Sequence, residues 1–124
     1  MKLNREAPPG GPIVKGFVGS GFKVEEQVYP ALLLTPERFA EWRPPAIAEL
    51  TPAALEDVLE MEPAPEFLLL GTGPTLVRPP LAFVSALEKR GLGIEAMDSR
   101  AAARAWGVLR TEGRWIAGAL YPLS

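Results

Sequence analysis

The second half of the chain alternates short apolar runs with segments of helical period, and this alternation constrains the fold more than any other feature. The apolar runs lie at residues 66–70, 93–97 and 114–121. The residues that repeat at helical spacing between them are Phe83, Val84 and Leu87, and then Ala102, Ala105, Trp106 and Leu109. Strand–helix–strand units of this kind predict a single three-layer α/β domain around a mixed central sheet, because right-handed crossovers place helices over the sheet's faces.

The three predicted strands differ in how they should sit in that sheet. Residues 114–121 are apolar on both alternating faces apart from the first residue, so we expect this strand at the centre. Residues 66–70 and 93–97 are expected to be parallel neighbours. A helix over residues 80–90 would join them, and Gly91 would end it in the left-handed conformation.

The N-terminal part predicts a β-hairpin followed by an interior strand. Residues 13–24 contain two β-prone runs around a Gly-Ser-Gly sequence, which supplies the positive φ angles that a tight turn requires. Residues 28–34 are almost wholly apolar, as expected for a strand covered on both faces. Residues 1–12 have no apolar region of signal-peptide type and are interpreted as a flexible lead-in to a domain over residues 13–124.

Two Thr-Pro pairs indicate helix starts. Thr35 would cap, and Pro36 would open, a first helix through TPERFAEW, which the following prolines would end. Thr51 and Pro52 would open a second helix, in which apolar and acidic positions separate onto two faces. We therefore expect two short helices between the interior strand and residues 66–70.

The composition removes most catalytic chemistry from this chain of 124 residues. It contains neither Cys nor His, which excludes thiol nucleophiles, Cys/His zinc sites and imidazole acid–base catalysis. The net charge is −2 and the basic residues are scattered, so the basic stripe that nucleic-acid binding requires is missing. No apolar run approaches the ~20 residues of a membrane helix. We expect a soluble cytoplasmic protein without nucleic-acid or membrane partners, metal or other cofactor.

The stretch LLLGTGPTLVRPPL, residues 68–81, resembles a phosphate-binding loop only in part. Such a loop uses glycine so that backbone N–H groups can approach an anion, and it opens directly into a helix. Here prolines delay the helix, the third glycine of the dinucleotide fingerprint is absent, and no Lys-Ser or Lys-Thr follows. The glycines are therefore interpreted first as the turn between a strand and a helix.

The same turn is nevertheless expected at the edge of the sheet where open α/β folds bind ligands, beside the start of the last helix. The candidate ligand-binding residues are Gly71, Thr72, Gly73, Arg78, Asp98, Ser99 and Arg100. In the alternative interpretation the glycines only make the turn, Asp98 or Ser99 only caps the helix, and Arg100 belongs to a solvated face. Turns and caps are the commoner uses of these residues, so this interpretation is favoured. No catalytic residue is predicted.

Two of the tryptophans carry separate expectations. Trp106 lies on the apolar face of the last predicted helix and is expected in the core. Trp42 lies beside a Pro-Pro pair on a short predicted helix. It is the candidate for an exposed interface anchor, a role that aromatic residues often fill.

The last third of the chain carries a family resemblance. LLLGTG, followed by GIEAMDSRAAARAWGVLRTEGRWIAGALYP, resembles a family of small domains of unknown biochemical function from bacteria, archaea and mitochondria. Its animal members include the third alpha-subcomplex assembly factor of NADH dehydrogenase, respiratory complex I, and an adipogenesis-associated cytosolic protein with an Mth-like domain. The resemblance covers roughly residues 13–122 in element order and implies a three-layer fold with a mixed central sheet.

The family pattern has a threonine after the strand's M-D/E, then an alanine, and an aromatic–asparagine pair before V-L. The positions of this chain that match the pattern and the turn after it are Ser99, Ala102, Trp106, Glu112 and Arg114. Gly107 replaces the asparagine. If that asparagine has a binding role in relatives, this protein lacks it.

Two function hypotheses follow. The resemblance implies a non-catalytic protein-interaction or assembly-accessory module, whose protein partner the sequence does not name. The alternative is a small anionic-ligand-binding protein or enzyme that uses the cleft around the glycine turn. Both are compatible with a homo-oligomer.

Overall fold

A mixed β-sheet with helices on both faces organises the computed structural model, which describes residues 5–6 and 10–124. The strands are β1 (Arg5–Glu6), β2 (Gly16–Val18), β3 (Gly21–Val24), β4 (Gln27–Tyr29), β5 (Leu32–Leu34), β6 (Arg38–Glu41), β7 (Phe67–Gly71), β8 (Gly93–Met97) and β9 (Ala117–Leu120). The helices are α1 (Glu56–Leu59), α2 (Leu81–Lys89) and α3 (Ser99–Thr111), and 3₁₀ turns precede them at Ile47–Glu49 and Pro52–Leu55.

The main sheet has the strand order β1-β6-β5-β9-β7-β8. Strand β7 pairs in parallel with both β8 and β9, and β9 pairs antiparallel with β5. The prediction of parallel β7 and β8 is therefore confirmed, and so is the central position of the last strand. Strand β8 forms one edge of the sheet.

Side chains alternate along β7 into two separate cores. Leu68 and Leu70 pack with α1 and α2, whereas Leu69 packs with α3 and with the small antiparallel sheet β2-β3-β4. The residues buried on the α2 side include Phe83 and Leu87. The predicted three-layer α/β fold with a mixed central sheet is confirmed.

The N-terminal hairpin is confirmed, but the predicted interior strand over residues 28–34 is wrong. Gly19 has a φ of 59° in the turn between β2 and β3. Residues 28–34 divide at Pro30: β4 joins the small sheet through β3, while β5 joins the main sheet through β6 and β9. Proline cannot donate a ladder hydrogen bond, and here the chain passes from one sheet to the other.

The predicted helix through TPERFAEW is also wrong, because that segment is a turn followed by β6. The Thr35 N–H donates to the Arg38 carbonyl at 2.8 Å, and the Arg38 N–H donates to the Thr35 hydroxyl at 2.9 Å. Strand β6 then pairs antiparallel with β5 and buries Phe39. Thr35 thus stabilises a tight β-connection instead of a helix N-terminus.

The second Thr-Pro pair does begin helical structure, as predicted. Pro52–Leu55 forms a 3₁₀ turn that continues directly into α1, and Leu55 and Val58 are buried. The Thr51 side chain makes no capping hydrogen bond. Of the Thr-Pro pair, only the proline therefore helps to start the helical segment, because its fixed φ suits the first helical position.

The lead-in predicted over residues 1–12 falls largely outside the described residues, since residues 1–4 and 7–9 are not among them. Of the rest, Arg5–Glu6 pairs with β6, and Gly11 and Pro12 are buried. The indole N–H of Trp106 donates to the Pro12 carbonyl at 2.8 Å. Trp106 is fully buried as expected, and it fixes the end of the lead-in against α3.

The expectation that Trp42 is an exposed interface anchor is wrong. Its side chain is only 2% exposed, and its indole N–H donates to the Ala54 carbonyl at 2.9 Å. Its ring meets the Tyr121 ring edge-on, with 4.9 Å between centroids. Trp42 follows a strand rather than lying on a surface helix, so it packs under the segment that leads into α1.

Candidate functional site

Five of the seven predicted cleft residues lie together where β7 and β8 end: Gly71, Thr72, Gly73, Asp98 and Ser99. Gly71 and Met97 are partners in the parallel register. The Thr72 N–H donates to the Met97 carbonyl at 2.9 Å. Beyond it, Gly73 and Ser99 are joined twice: the Ser99 N–H donates to the Gly73 carbonyl, and the Gly73 N–H donates to the Ser99 hydroxyl, both at 2.8 Å. The glycine turn is thus bonded directly to the first residue of α3.

The structure explains why glycine is needed at both positions of the turn. A Cβ on Gly71 would lie 2.8 Å from Ser99 Oγ and 3.0 Å from Ser99 Cα, so no larger residue fits against the start of α3. Gly73 has a φ of 108°, which L side chains rarely adopt. The first glycine permits close packing and the second permits the turn.

Thr72 connects the turn to the residues that follow it. Its side chain is buried, and its hydroxyl donates to the Thr75 carbonyl at 2.8 Å and accepts from the Val77 N–H at 3.0 Å. These bonds fix the start of the loop between β7 and α2. This loop is therefore anchored at its base by a side chain that the sequence offered only as a ligand contact.

Asp98 is the N-cap of α3. Its carboxylate accepts from the Ala101 N–H at 2.9 Å, as the structural interpretation expects. With the bonds of Thr72, Gly73 and Ser99, the donors best placed for an anion are already engaged. The contacts favour the turn-and-cap interpretation, and ligand binding at this edge stays a prediction.

The two candidate arginines do not converge on the turn. The Arg100 guanidinium lies over the Phe17 ring, 5.4 Å from its centroid, and Arg104 lies over the same ring at 5.5 Å. These cation–π contacts direct Arg100 toward the hairpin. Arg78 is exposed on the loop, and within residues 10–124 no hydrogen bond or ion pair to it is found.

The titratable groups with perturbed pKa values make structural contacts, and none of them is a predicted cleft residue. The hydrogen bond from Arg114 lowers the pKa of Glu66, and the Trp115 N–H adds to this effect. The hydrogen bond from Arg90 lowers the pKa of Glu56. Burial raises the pKa of Tyr121 to about 12. Across residues 5–6 and 10–124 there is also no group of three or more acidic side chains that could hold a metal ion.

The loop presents apolar side chains to solvent. Leu76 is 60% exposed, Val77 40% and Leu81, at the start of α2, 84%. We call these three residues the apolar loop. The sequence reasoning missed them because it considered only the glycines and polar groups. The available signal was the TLV triplet between prolines, which has neither strand nor helix period.

In the part of the chain that the structure describes, no helix is long and apolar enough to cross a bilayer. The longest described helix, α3, has 13 residues.

Comparison with known proteins places the chain in a family. Residues 14–121 match the model of the family described as "Protein of unknown function (DUF498/DUF598)". The chain belongs to this family. The sequence resemblance noted above is thereby confirmed.

Relatives with names and solved structures agree with this family and fold. The zebrafish (Danio rerio) protein named NADH dehydrogenase [ubiquinone] 1 alpha subcomplex assembly factor 3 is 26% identical, over 98% of this chain and 71% of the zebrafish protein. A solution structure from Xanthomonas campestris is 36% identical over 99% of this chain and 93% of its own, with a TM-score of 0.77. Another, from Bordetella pertussis and described as a Mth938-like domain, is 29% identical over 100% and 94%, with a TM-score of 0.78.

Proposed function

We propose that this protein is a non-catalytic protein-interaction module that binds a protein partner through the apolar loop. The observation that carries the proposal is the exposure of Leu76, Val77 and Leu81 on a segment whose base is fixed by hydrogen bonds. Clustered exposed apolar side chains often mark an interaction surface, and these three lie within residues 76–81.

The loop has the properties of a preorganised docking site. Its start is held by the Thr72 hydroxyl, and its end is the first residue of α2, so little conformational entropy would be lost on binding. Full burial of a leucine side chain contributes roughly 1.5–3 kcal/mol. Arg78, exposed between the apolar residues, offers a charged donor of the type enriched at interfaces.

The relatives support an accessory or assembly role. The zebrafish relative is named as an assembly factor, and a protein of that kind acts by binding other proteins. The family itself is described as one of unknown function. We extend the accessory role to this chain as a proposal, with the partner defined only as a protein carrying a complementary apolar surface, and with a cytoplasmic location still a prediction.

The experiment is a partner capture that compares two matched double variants. Leu76→Ser/Leu81→Ser removes apolar surface from the loop. Val18→Ser/Val28→Ser removes similar exposed surface from the small sheet and is the control. We expect the proteins captured by the wild type from native cell extract to be retained by the control and lost with the loop variant. Equal capture by both variants would show that the apolar loop is not the binding surface.

The alternative function, binding of a small anion at the glycine turn, is tested by calorimetric titration with nucleotides and sugar phosphates. Because the N–H groups of Thr72, Gly73 and Ala101 are engaged, we expect no affinity beyond the high-micromolar range, roughly −5 to −6 kcal/mol. A low-micromolar affinity that Arg100→Ala or Arg78→Ala abolishes would replace the interaction module with a ligand-binding protein.

A further inference from the structure

A second exposed apolar region, which shares no residue with the apolar loop, lies along α3. A groove of about 520 Å³ runs between this helix and the segment that precedes β2, and its lining includes Ile13, Ala103, Arg104, Gly107, Val108 and Glu112. Val108 is 59% exposed and Ile13 45%. The groove therefore offers apolar contact area that the protein's own core does not use.

Gly107 has no role in the fold that would require glycine. It lies inside α3, where glycine is about 1 kcal/mol less favourable than alanine. Apart from the adjoining residues and the backbone of the same helix, no atom lies within 4 Å of a Cβ built at this position, and its φ is not in the left-handed region. What the glycine does provide is bare backbone at the floor of the groove, where another helix can approach closely.

The groove is complementary to itself. Val108 is exposed beside Gly107 in the groove lining, so a two-fold axis through the groove would bring each Val108 to the Gly107 of a second copy. The ridge of residues four apart, Arg104 and Val108, would then pack against Gly107, next to the buried Ala103. An isologous interface needs a projecting side chain and a depression on the same surface. Val108 and Gly107 are neighbours on one helix and provide both.

The charged residues at the two ends of the groove are compatible with the same two-fold axis. Arg104 and Glu112 stand four residues before and four residues after Val108, or about 6 Å on either side along the helix. In an antiparallel pair of α3 helices, each Arg104, whose guanidinium lies 5.5 Å from the Phe17 ring centroid, would face the second copy's Glu112. A parallel arrangement would instead place like charges together.

We propose that the α3 groove is a homodimer interface, in which two copies pack antiparallel through Val108 and Gly107 and are oriented by two Arg104–Glu112 ion pairs. Its area is confined to one helix face and the residues beside it, so the dimer is a weak one. The surface is distinct from the apolar loop, and the proposal does not depend on the partner-binding function.

The first test is sedimentation velocity of the wild type over roughly 10 µM to 1 mM, the range suited to a small interface. We expect a concentration-dependent shift from monomer to dimer. A monomer throughout this range would overturn the proposal, as would a dimer unaffected by changes at Val108.

The second test exchanges the charges. Arg104→Glu leaves two glutamates facing each other at each of the two contacts, and Glu112→Arg leaves two arginines at each, so each variant alone should dimerise at least tenfold more weakly than the wild type. Mixed in equal amounts, they can form a heterodimer with two attractive pairs. Recovery of the dimer in the mixture is expected, and its absence would overturn the antiparallel arrangement. Thermal melts of each variant check that the monomer remains folded.

The third test fills the groove. Gly107→Gln introduces a helix-compatible side chain into space that is open in the monomer, so folding is retained while close approach is blocked. We expect no dimer up to about 1 mM. The matched control is Gly93→Gln, at an exposed position of β8 outside the groove, where φ is not in the left-handed region and a Cβ would have open space; it should leave the dimer unchanged. Dimerisation of Gly107→Gln at wild-type strength would show that close approach at residue 107 is not used.

Discussion

At the scale of single residues, replacing glycine by alanine should have opposite effects on stability at Gly71 and at Gly107. Gly71→Ala pushes a Cβ against the Ser99 backbone at 3.0 Å and should destabilise the fold by roughly 1–3 kcal/mol through overpacking. Gly107→Ala meets nothing within 4 Å and should stabilise the monomer by up to about 1 kcal/mol. Urea denaturation at low micromolar concentration, where the proposed dimer is absent, measures both. A stabilised Gly71→Ala would contradict the close packing of the turn against α3.

Because Tyr121 is buried, we expect the free energy of unfolding to fall at alkaline pH. Its hydroxyl donates to the Pro45 carbonyl at 2.9 Å, and burial raises its pKa from 10.0 to about 12. Because the pKa is higher in the folded state, the stability contributed by the neutral phenol is present below pH 10 and is lost as the pH rises toward 12. Tyr121→Phe should flatten the decline in unfolding free energy between these pH values. An unchanged decline would place its origin in other groups.

Some side-chain contacts of this protein follow from the local sequence, and others depend on residues that are distant in the chain. The contact between the glycine turn and Ser99 follows from two parallel strands, so their proximity was predictable. The burial of Trp42 depends on Tyr121, which is distant in sequence and packs on its ring only after β9 joins the sheet. The engaged donors of the turn likewise depend on side-chain directions that no spacing reveals.

At the scale of elements, an ion pair ties the start of β7 to the segment before β9. Glu66 bonds both the Arg114 guanidinium, at 2.8 Å, and the Trp115 N–H, at 2.9 Å, and these contacts lower its pKa below 4.5. The stability that it contributes is therefore present above pH 4.5 and is lost as the pH falls through the lowered value. Glu66→Gln should reduce stability at pH 7 and weaken the acid dependence. Acid titrations followed by circular dichroism compare it with Glu26→Gln, an exposed control; equal behaviour of the two variants would contradict the role of this pair.

The two Thr-Pro pairs explain why element type was predictable in one place and not in the other. After Thr51 the apolar residues Leu55 and Val58 repeat at helical spacing, so local signal and packing agree. After Thr35 the segment lies antiparallel to β5, and pairing with that strand outweighs the helix-start signal. That pairing is local, since Leu34 is the partner of Phe39, but β5 is itself held in the main sheet by β9, which is distant in the sequence. The C-terminal strand–helix units were predictable because their periods are long and unbroken.

At the scale of the whole molecule, the central sheet contributes one of its faces to each of the two hydrophobic cores. Strand β9 and the residue before it direct Ala117 and Ala119 to the α2 side and Ile116 and Leu120 to the α3 side. Neither core can lose its sheet face without exposing the other. The chain should therefore unfold as one cooperative unit, as domains of this size usually do.

Tryptophan positions allow that cooperativity to be measured, because Trp42 lies in the core beside α1 and α2, while Trp106 lies in the core beside α3. With Trp115→Phe as background, a further Trp106→Phe or Trp42→Phe leaves one reporter in one core. In each variant we expect the fluorescence midpoint in urea to coincide with the midpoint from far-ultraviolet circular dichroism, even though the two variants differ in stability. If the Trp106 signal changed at lower urea than the circular dichroism of the same variant, α3 and the small sheet would be detaching before the main sheet unfolds, and the shared sheet would not couple the two cores.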